Sequence, residues 1–320
     1  MINIVWNGEN DKRTCKEVFS TVIPDIVDHD PDAVYLDADL MSCIGTLKWG
    51  EKSERAIECG IAEANMIGVA AGLSAQGFKP ICHSFAPFAS RRSFDQIFLS
   101  AGYAQNPITV IGSDPGVTAA MNGGTHMPFE DMAMYRTIPG ATVLDISDPT
   151  VLEGALRQCV NMPGVKYIRA GRKTYHRIYG EGSELPIGKA ICVKEGKDIA
   201  LYASGIMVGE ALSAAKLLKE QGIDAAVIDC TTVKPIDRET VVRYARQCGA
   251  AVVAENHNRH GGLFSAVTEV LAEEYPILTG VVAVEDEFGE VGPQSYLQKR
   301  FGLTPEHICD EALKVLKKKA

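Results

Sequence analysis

The segment CGIAEANMIGVAAGLSAQG at 59–77 carries the acidic residue best suited to chemistry, Glu63. Ala62, Met66, Val69 and Leu73 recur at helical spacing, which places Glu63 in the opening turn of an apolar helix. A carboxylate at that position could simply complement the positive end of the helix dipole. It could also be a desolvated acid that faces a ligand. The residues alone leave both interpretations open.

Two further segments combine aromatic and polar residues that could contact a ligand. In HSFAPFASRRSFDQI at 83–97, Phe85 and Phe88 could form one wall of a pocket for a flat ring, or simply part of the core. In SDPGVTAAMNGGTHMPFED at 113–131, His126 lies in a long connection after a predicted strand, where α/β sheets usually bind ligands. His126 is therefore either an ordinary loop histidine or a group that contacts a ligand.

Several common sites are excluded by their missing motifs. The sequence has no His-x-x-x-His pair, no cysteine cluster, no G-x-x-x-x-G-K-[ST], no G-x-G-x-x-G after a strand and no G-x-S-x-G. His257 and His260 are three apart but have no further ligand at a recognisable spacing. We therefore predict no metal site within this chain.

The elements that must position these residues alternate between strands and helices. This alternation predicts an α/β fold with two parallel-sheet domains, at 1–182 and 183–320, because the pattern lapses between 171 and 198. The predicted first-domain strands are 34–38, 79–85, 108–112, 142–146 and 165–168, with helices near 14–28, 54–75, 90–104 and 149–160. In the second domain the predicted strands are 199–203, 225–229, 251–255 and 281–284, with helices at 208–221, after 237 and at 263–274.

Composition narrows the class of ligand. The 320 residues include 41 acidic and 32 basic ones, a net charge of -9, which argues against broad nucleic-acid or anionic-membrane binding. Any anionic ligand must then be held by a few local arginines. Nine scattered cysteines without a C-x-x-C pair indicate reduced thiols, and no segment has the length or apolarity of a membrane helix or signal peptide. We expect a cytoplasmic protein.

Six motifs, in this order, resemble the C-terminal half of transketolase, and the resemblance covers nearly the whole chain. They are DADL at 37–40, GIAEANMIGVAAGLS at 60–74, SFAPF at 84–88, GGTHMPFED at 123–131, YIRAGR at 167–172 and GIMVGEAL at 205–212. The resemblance implies a pyrimidine-binding domain for thiamine diphosphate, followed by a smaller C-terminal domain. It also implies transfer of a two-carbon ketol unit between sugar phosphates.

The same resemblance implies a missing partner. In the family, a preceding domain with Gly-Asp-Gly and a later Asn holds the diphosphate and Mg²⁺ or another divalent cation, and Gly-Asp-Gly does not occur in this sequence. The chain therefore resembles the C-terminal subunit of a split transketolase. An N-terminal subunit with the diphosphate-binding domain would complete the site, with α2β2 as the expected assembly.

Site residues follow from the resemblance, position by position. Glu63 matches the glutamate that bonds the cofactor's aminopyrimidine ring, and its protonation of the ring nitrogen favours the imino tautomer that activates the thiazolium carbon. Phe85 and Phe88 match aromatic residues that stack on the aminopyrimidine. Asp39 matches an aspartate near the cofactor across the dimer interface. His126 matches a histidine expected to bond sugar oxygens and stabilise oxyanion charge.

Other positions concern the sugar. Arg13 and Arg169 fall where family arginines bind the substrate phosphate, a task that suits the planar guanidinium. Asn122 stands where transketolases commonly have an aspartate that reads a substrate hydroxyl, and Arg91 stands where a third stacking aromatic is usual. The spacing from Asp114 to His126 is closer to that of deoxyxylulose phosphate synthase.

Three alternatives to a transketolase subunit remain open. The first is the beta subunit of a 2-oxo-acid dehydrogenase, which shares the architecture but would not need GGTHMP or phosphate-binding arginines. The second is an enzyme similar to deoxyxylulose phosphate synthase. The third is a non-catalytic scaffold subunit, against which the retention of Glu63, both phenylalanines and His126 argues.

Overall fold

The computed structural model describes residues 2–319, which contain twelve strands in two sheets. In chain order the strands are β1 (Ala33–Asp37), β2 (Ala56–Glu58), β3 (Lys79–Phe85), β4 (Ile108–Ser113), β5 (Thr142–Asp145), β6 (Val165–Ala170), β7 (Ile191–Lys194), β8 (Ile199–Ala203), β9 (Ala225–Asp229), β10 (Thr232–Lys234), β11 (Ala250–Asn258) and β12 (Leu278–Val284).

Helices cover the faces of both sheets. They are α1 (Cys15–His29), α2 (Met41–Ile44), α3 (Leu47–Gly50), α4 (Glu63–Ala75), α5 (Phe94–Gln96), α6 (Asp131–Arg136), α7 (Pro149–Cys159), α8 (Met207–Glu220), α9 (Arg238–Cys248), α10 (Leu263–Glu274), α11 (Gln294–Arg300) and α12 (Pro305–Lys319). Two π-helical segments, Phe88–Arg92 and Ile97–Tyr103, and two 3₁₀ segments, Gly116–Asn122 and Gly124–His126, add to these. None of the helices within 2–319 is long and apolar enough to cross a membrane.

The two sheets confirm the predicted fold class. The first has the order β10-β5-β6-β4-β3-β1-β2 and the second β12-β11-β8-β9-β7. All neighbouring strands are parallel except at one edge of each sheet, where β10 pairs with β5 and β7 pairs with β9 in antiparallel fashion. The strands of the two sheet centres are buried along their whole length, as expected for parallel sheets covered on both faces.

Two of the predicted helices differ in the structure. The sequence pattern predicts a helix that includes residues 54–62, but β2 and a turn lie there, and α4 begins at Glu63. The turn contains Gly60 at a φ of 64°, a conformation that ends any regular element. The helix expected at 90–104 is divided into π, α and π segments between Phe88 and Tyr103.

A local cap explains why α7 starts at Pro149. Asp148 before Pro149 is typical of an N-cap followed by proline in the first turn, and the structure confirms it: the Asp148 carboxylate accepts from the Val151 N–H at 2.9 Å. The carboxylate of Asp148 also accepts from the backbone N–H groups of Ile178 and Tyr179. The same residue therefore ties the segment after β6 to the start of α7.

The two halves of the chain are closely joined. β10, although it follows β9 in the second half, completes the edge of the first sheet. Each apolar core cluster also draws on both halves; Leu144 and Leu201, for example, belong to the same one. The boundary between two domains at 182/183 therefore stays a prediction, because the two halves share a sheet and both apolar core clusters.

Candidate active site

A cluster of three rings lies where β3 ends. Phe85 is the last residue of β3, Phe88 opens the π segment that follows, and His126 ends a 3₁₀ turn. The ring centroids are 6.5 Å apart for Phe85 and Phe88, 5.6 Å for Phe85 and His126, and 5.1 Å for Phe88 and His126, all at steep interplanar angles. The structure thus brings together three of the predicted site residues, in edge-to-face contacts that present ring faces to a ligand.

Glu63 lies beside this cluster and is only 1% exposed. Its Oε1 accepts a hydrogen bond from the Ser84 hydroxyl at 2.9 Å, and its Oε2 accepts from Nη1 of Arg92 at 2.7 Å. Ser84 directly precedes Phe85 on β3. The carboxylate is therefore aimed at the end of β3, which a role confined to the helix dipole would not require.

Two arginines lie on the aromatic cluster. The guanidinium carbon of Arg92 is 4.0 Å from the centroid of Phe88, and that of Arg172 is 5.1 Å from the centroid of Phe85. Arg172 also donates from Nε to Oδ2 of Asp114 at 2.6 Å, and its side chain is 23% exposed. Sequence reasoning did not select Arg172, although it is the second arginine of the YIRAGR motif.

The loop that carries His126 is held by the second half of the chain. A Cβ on Gly124 would lie 2.2 Å from the carbonyl oxygen of Gly289, so the two backbones are in direct contact there. Arg91 donates from Nη2 to the Thr125 carbonyl at 3.4 Å. Asn122, in the same loop, is exposed. The contact between Gly124 and Gly289 therefore helps to position His126.

A buried polar network lies under the site and was missed by sequence reasoning. Nδ1 of His83 is 2.7 Å from Oδ2 of Asp37, and Nε2 of His83 is 2.9 Å from the Ser113 hydroxyl. Tyr35 donates its hydroxyl to the same Asp37 carboxylate. These side chains join the ends of β1, β3 and β4, which fixes the loops that follow those strands.

Asp39 follows this network on an exposed turn. Its φ is 63°, and its backbone N–H donates to Oε1 of Glu58 at 2.8 Å. Its carboxylate is thus presented at the surface after β1, which is compatible with the expected place near an interface with another chain. Within this chain, Asp37 rather than Asp39 bonds to the buried side chains of His83 and Tyr35.

Arg169 makes its contacts away from the aromatic cluster of Phe85, Phe88 and His126. It is fully buried and donates from Nε to Asp131 at 2.8 Å, from Nη1 to Asp145 at 3.0 Å and from Nη2 to the Asn256 carbonyl at 2.6 Å. Burial raises the pKa of the Asp145 carboxyl, and Arg169 opposes that change. Because this guanidinium is enclosed and neutralised by carboxylates, its surroundings suit the joining of the two halves and do not suit phosphate binding.

The other predicted phosphate ligand, Arg13, lies against α7. It donates from Nη1 to Glu153 at 3.0 Å and from Nη2 to the Thr150 hydroxyl at 3.3 Å, and its side chain is 36% exposed. The structure therefore does not bring Arg13 and Arg169 together. Within residues 2–319, no group of three or more His, Cys, Asp or Glu side chains is arranged to hold a metal ion.

One face of α4 is apolar and exposed. Val69 is 37% exposed there, and a Cβ added to Gly68 or Gly72 would meet no atom of this chain within 4 Å. Ile61, just before the helix, is 72% exposed. This surface begins next to Glu63, so whatever covers it would also lie close to the candidate site.

Comparisons with known proteins place this chain in a family. The description "Transketolase, pyrimidine binding domain" matches residues 11–177, and "Transketolase, C-terminal domain" matches 188–308. The chain is 46% identical over 305 residues to the "6-deoxy-6-sulfo-D-fructose transketolase subunit SqwH" of Clostridium sp. (strain MSTE9), covering 95% of both chains. It is 30% identical over 311 residues to one of the subunits of an apulose-4-phosphate transketolase of Phocaeicola vulgatus, covering 97% of this chain and 99% of that one.

A solved structure agrees with these relatives. The "Split gene transketolase, inactive beta4 tetramer" superposes with a TM-score of 0.88 at 36% identity, covering 96% of this chain and 99% of that one. The predicted resemblance and fold are thereby confirmed. The chain belongs to the transketolase family, as the C-terminal, pyrimidine-binding subunit of a split, thiamine-diphosphate-dependent transketolase.

Proposed function

We propose that this chain, together with a separate diphosphate-binding subunit, transfers a two-carbon ketol unit from a ketose phosphate to an aldose phosphate. The observation that carries the proposal is the buried carboxylate of Glu63 beside the ring faces of Phe85 and Phe88. A planar nitrogen heterocycle fits such a place, because its faces contact aromatic rings while its ring nitrogen bonds the carboxyl group. The donor set therefore fits the pyrimidine half of thiamine diphosphate.

Each residue of the cluster has a role in this proposal. When bound, thiamine diphosphate supplies the nucleophilic carbon and the electron sink that ketose cleavage needs. Glu63 shares a proton with the pyrimidine ring nitrogen, and Ser84 fixes the orientation of its carboxyl group through Oε1. Phe85 and Phe88 hold the ring by its faces. His126 donates to sugar oxygens as negative charge develops on them.

The anionic end of the sugar needs a cation near this cluster. Arg172 is partly exposed beside Phe85, whereas Arg169 is enclosed, so we assign this task to Arg172 and retain Arg13 as the second candidate. Asn122 is exposed in the His126 loop, where it can reach a sugar hydroxyl. An arginine fork suits either a phosphate or another tetrahedral oxyanion.

A separate partner chain is supported by the surface beside the site. The exposed apolar face of α4 is a surface that a partner chain could bury. The two similar relatives are both named as subunits. The similar solved structure, which is a tetramer of beta chains, is described as inactive. We propose an α2β2 assembly in which the partner chain binds the diphosphate and Mg²⁺ or another divalent cation.

A sulfonated ketose is a second candidate donor. The relative that is 46% identical is named for 6-deoxy-6-sulfo-D-fructose. A sulfonate carries three oxygens in nearly the same arrangement as a phosphate but only one negative charge, so the same arginine can bind either group. This candidate changes the terminal group of the substrate and leaves the transfer chemistry unchanged.

Reconstitution with a candidate partner tests the proposed function. We expect labelled two-carbon transfer only when the chain is co-expressed with a subunit that contains Gly-Asp-Gly. Donors with a terminal phosphate or sulfonate should exceed the neutral ketose in kcat/KM by at least about tenfold, since a charged hydrogen-bonded contact is worth roughly 1.5–3 kcal/mol. Lipoyl-dependent acyl transfer from a 2-oxo acid, without ketol transfer, would instead identify a dehydrogenase subunit.

A further inference from the structure

The guanidinium of Arg92 lies in the place that the proposed function gives to the pyrimidine. It donates to Oε2 of the buried Glu63 at 2.7 Å and covers the face of Phe88 at 4.0 Å. A planar group that bonds this carboxylate and stacks on this ring makes the same two contacts that we assign to the aminopyrimidine. The two groups cannot both bond Oε2 of Glu63 and stack on the same face of Phe88 at the same time.

We propose that Arg92 is an internal placeholder for the pyrimidine. In the free chain its guanidinium occupies the place beside Glu63 and Phe88, and it is displaced when thiamine diphosphate binds. The inference rests on the proposed function, because it needs Glu63 and Phe88 to contact the cofactor. It assigns to Arg92 the control of cofactor affinity. The arginine stabilises the free state and must leave its contacts before the bound state forms.

The energetics of the free chain make such a placeholder useful. A carboxylate that is 1% exposed is costly to leave with few partners, and Ser84 satisfies only Oε1. Arg92 supplies the countercharge for Oε2. A polar group of the cofactor can take over that contact, so the carboxylate is satisfied in both the free and the bound state.

The same contacts make Arg92 easy to displace. Its side chain is 42% exposed, so the charged group can return to water at little cost, and its ion pair is partly screened. Among the contacts within residues 2–319, the Arg92 guanidinium donates to Glu63 alone. Arg91, in contrast, is held by Glu130 and by the Thr125 carbonyl. Departure of Arg92 therefore breaks one hydrogen bond and one stacking contact.

Titration of thiamine diphosphate into the reconstituted pair tests this exchange. We expect Arg92→Gln to lower the Kd about 2- to 5-fold, because the free state loses a partly screened ion pair that the bound state does not contain. Arg92→Lys keeps the charge but not the planar guanidinium, so its Kd should lie between those of the unsubstituted chain and Arg92→Gln. The matched control is Arg238→Gln, which removes an arginine with a 46% exposed side chain paired with Glu273 and Glu274 and should leave the Kd unchanged.

Unchanged or weaker binding by both Arg92 variants would overturn the inference. Thermal unfolding of the isolated chain gives a second measurement, in which Arg92→Gln should lower the Tm while Arg238→Gln changes it less. Glu63→Gln distinguishes a failure of the Arg92 exchange from a failure of the role proposed for Glu63. If Glu63→Gln weakens binding and Arg92→Gln does not strengthen it, the placeholder alone is wrong. If Glu63→Gln changes neither binding nor transfer, the assignment of Glu63 to the pyrimidine is wrong as well. Absence of ketol transfer by the unsubstituted pair would mean that the proposed function itself is wrong.

Discussion

Replacing Glu63 with glutamine is expected to lower ketol transfer by the reconstituted pair about 10²- to 10⁴-fold, the usual contribution of one general acid–base group. Glutamine has nearly the shape of glutamate and can still accept from Ser84 at Oε1. It cannot share a proton with the pyrimidine nitrogen, so the loss should fall on kcat. Steady-state kinetics at saturating cofactor measures this effect.

The control for this substitution is Glu273→Gln. Glu273 is also paired with an arginine, at 2.6 Å, but its side chain is 66% exposed and it lies in α10. Its replacement should leave ketol transfer unchanged, which shows that loss of an arginine–glutamate pair is not itself responsible. Undiminished transfer by both Glu63→Gln and Glu63→Ala would remove the catalytic assignment.

Arg169→Met is expected to lower the free energy of unfolding by about 3–5 kcal/mol, because breaking a buried ion pair leaves an uncompensated charge. Here two carboxylates, those of Asp131 and Asp145, would lose their shared cation inside the protein. Urea unfolding of the full chain measures the change. The effect is on stability, since Arg169 is fully buried and holds residues of both halves.

Arg157→Met serves as the comparison for Arg169. Arg157 is 46% exposed and pairs with Asp25 at 2.6 Å, so its loss should cost less than about 1 kcal/mol. If Arg169→Met were as stable as Arg157→Met and instead raised KM for phosphorylated donors alone, Arg169 would be a phosphate ligand after all. The two variants therefore separate the structural role from the binding role.

Most of the fold could be predicted because long apolar strands alternate with amphipathic helices. β10 could not be predicted, since three residues carry little pattern and their partner, β5, precedes them by almost ninety positions in the chain. The start of α4 was placed too early because the polar turn around Gly60 also fits a helical period. Those are errors of boundary and of long-range pairing, which local patterns do not encode.

The candidate site was predicted unevenly. Glu63, Phe85, Phe88 and His126 were selected from their motifs, and the structure brings them together. YIRAGR holds two arginines, and the motif does not show which one is enclosed: Arg169 lies inside β6, whereas Arg172 lies beyond its end. His83 was missed because a histidine within an apolar strand gives no signal of its partners on other strands.

The most direct test is a crystal structure of this chain with its diphosphate-binding partner and thiamine diphosphate. We expect the Glu63 carboxyl group at a hydrogen-bonding distance of roughly 2.6–3.2 Å from the pyrimidine ring nitrogen, with the ring against Phe88. The diphosphate should be held by the partner. A pyrimidine bound far from Glu63, or a diphosphate held by this chain alone, would contradict the assignment of half a coenzyme site to this subunit.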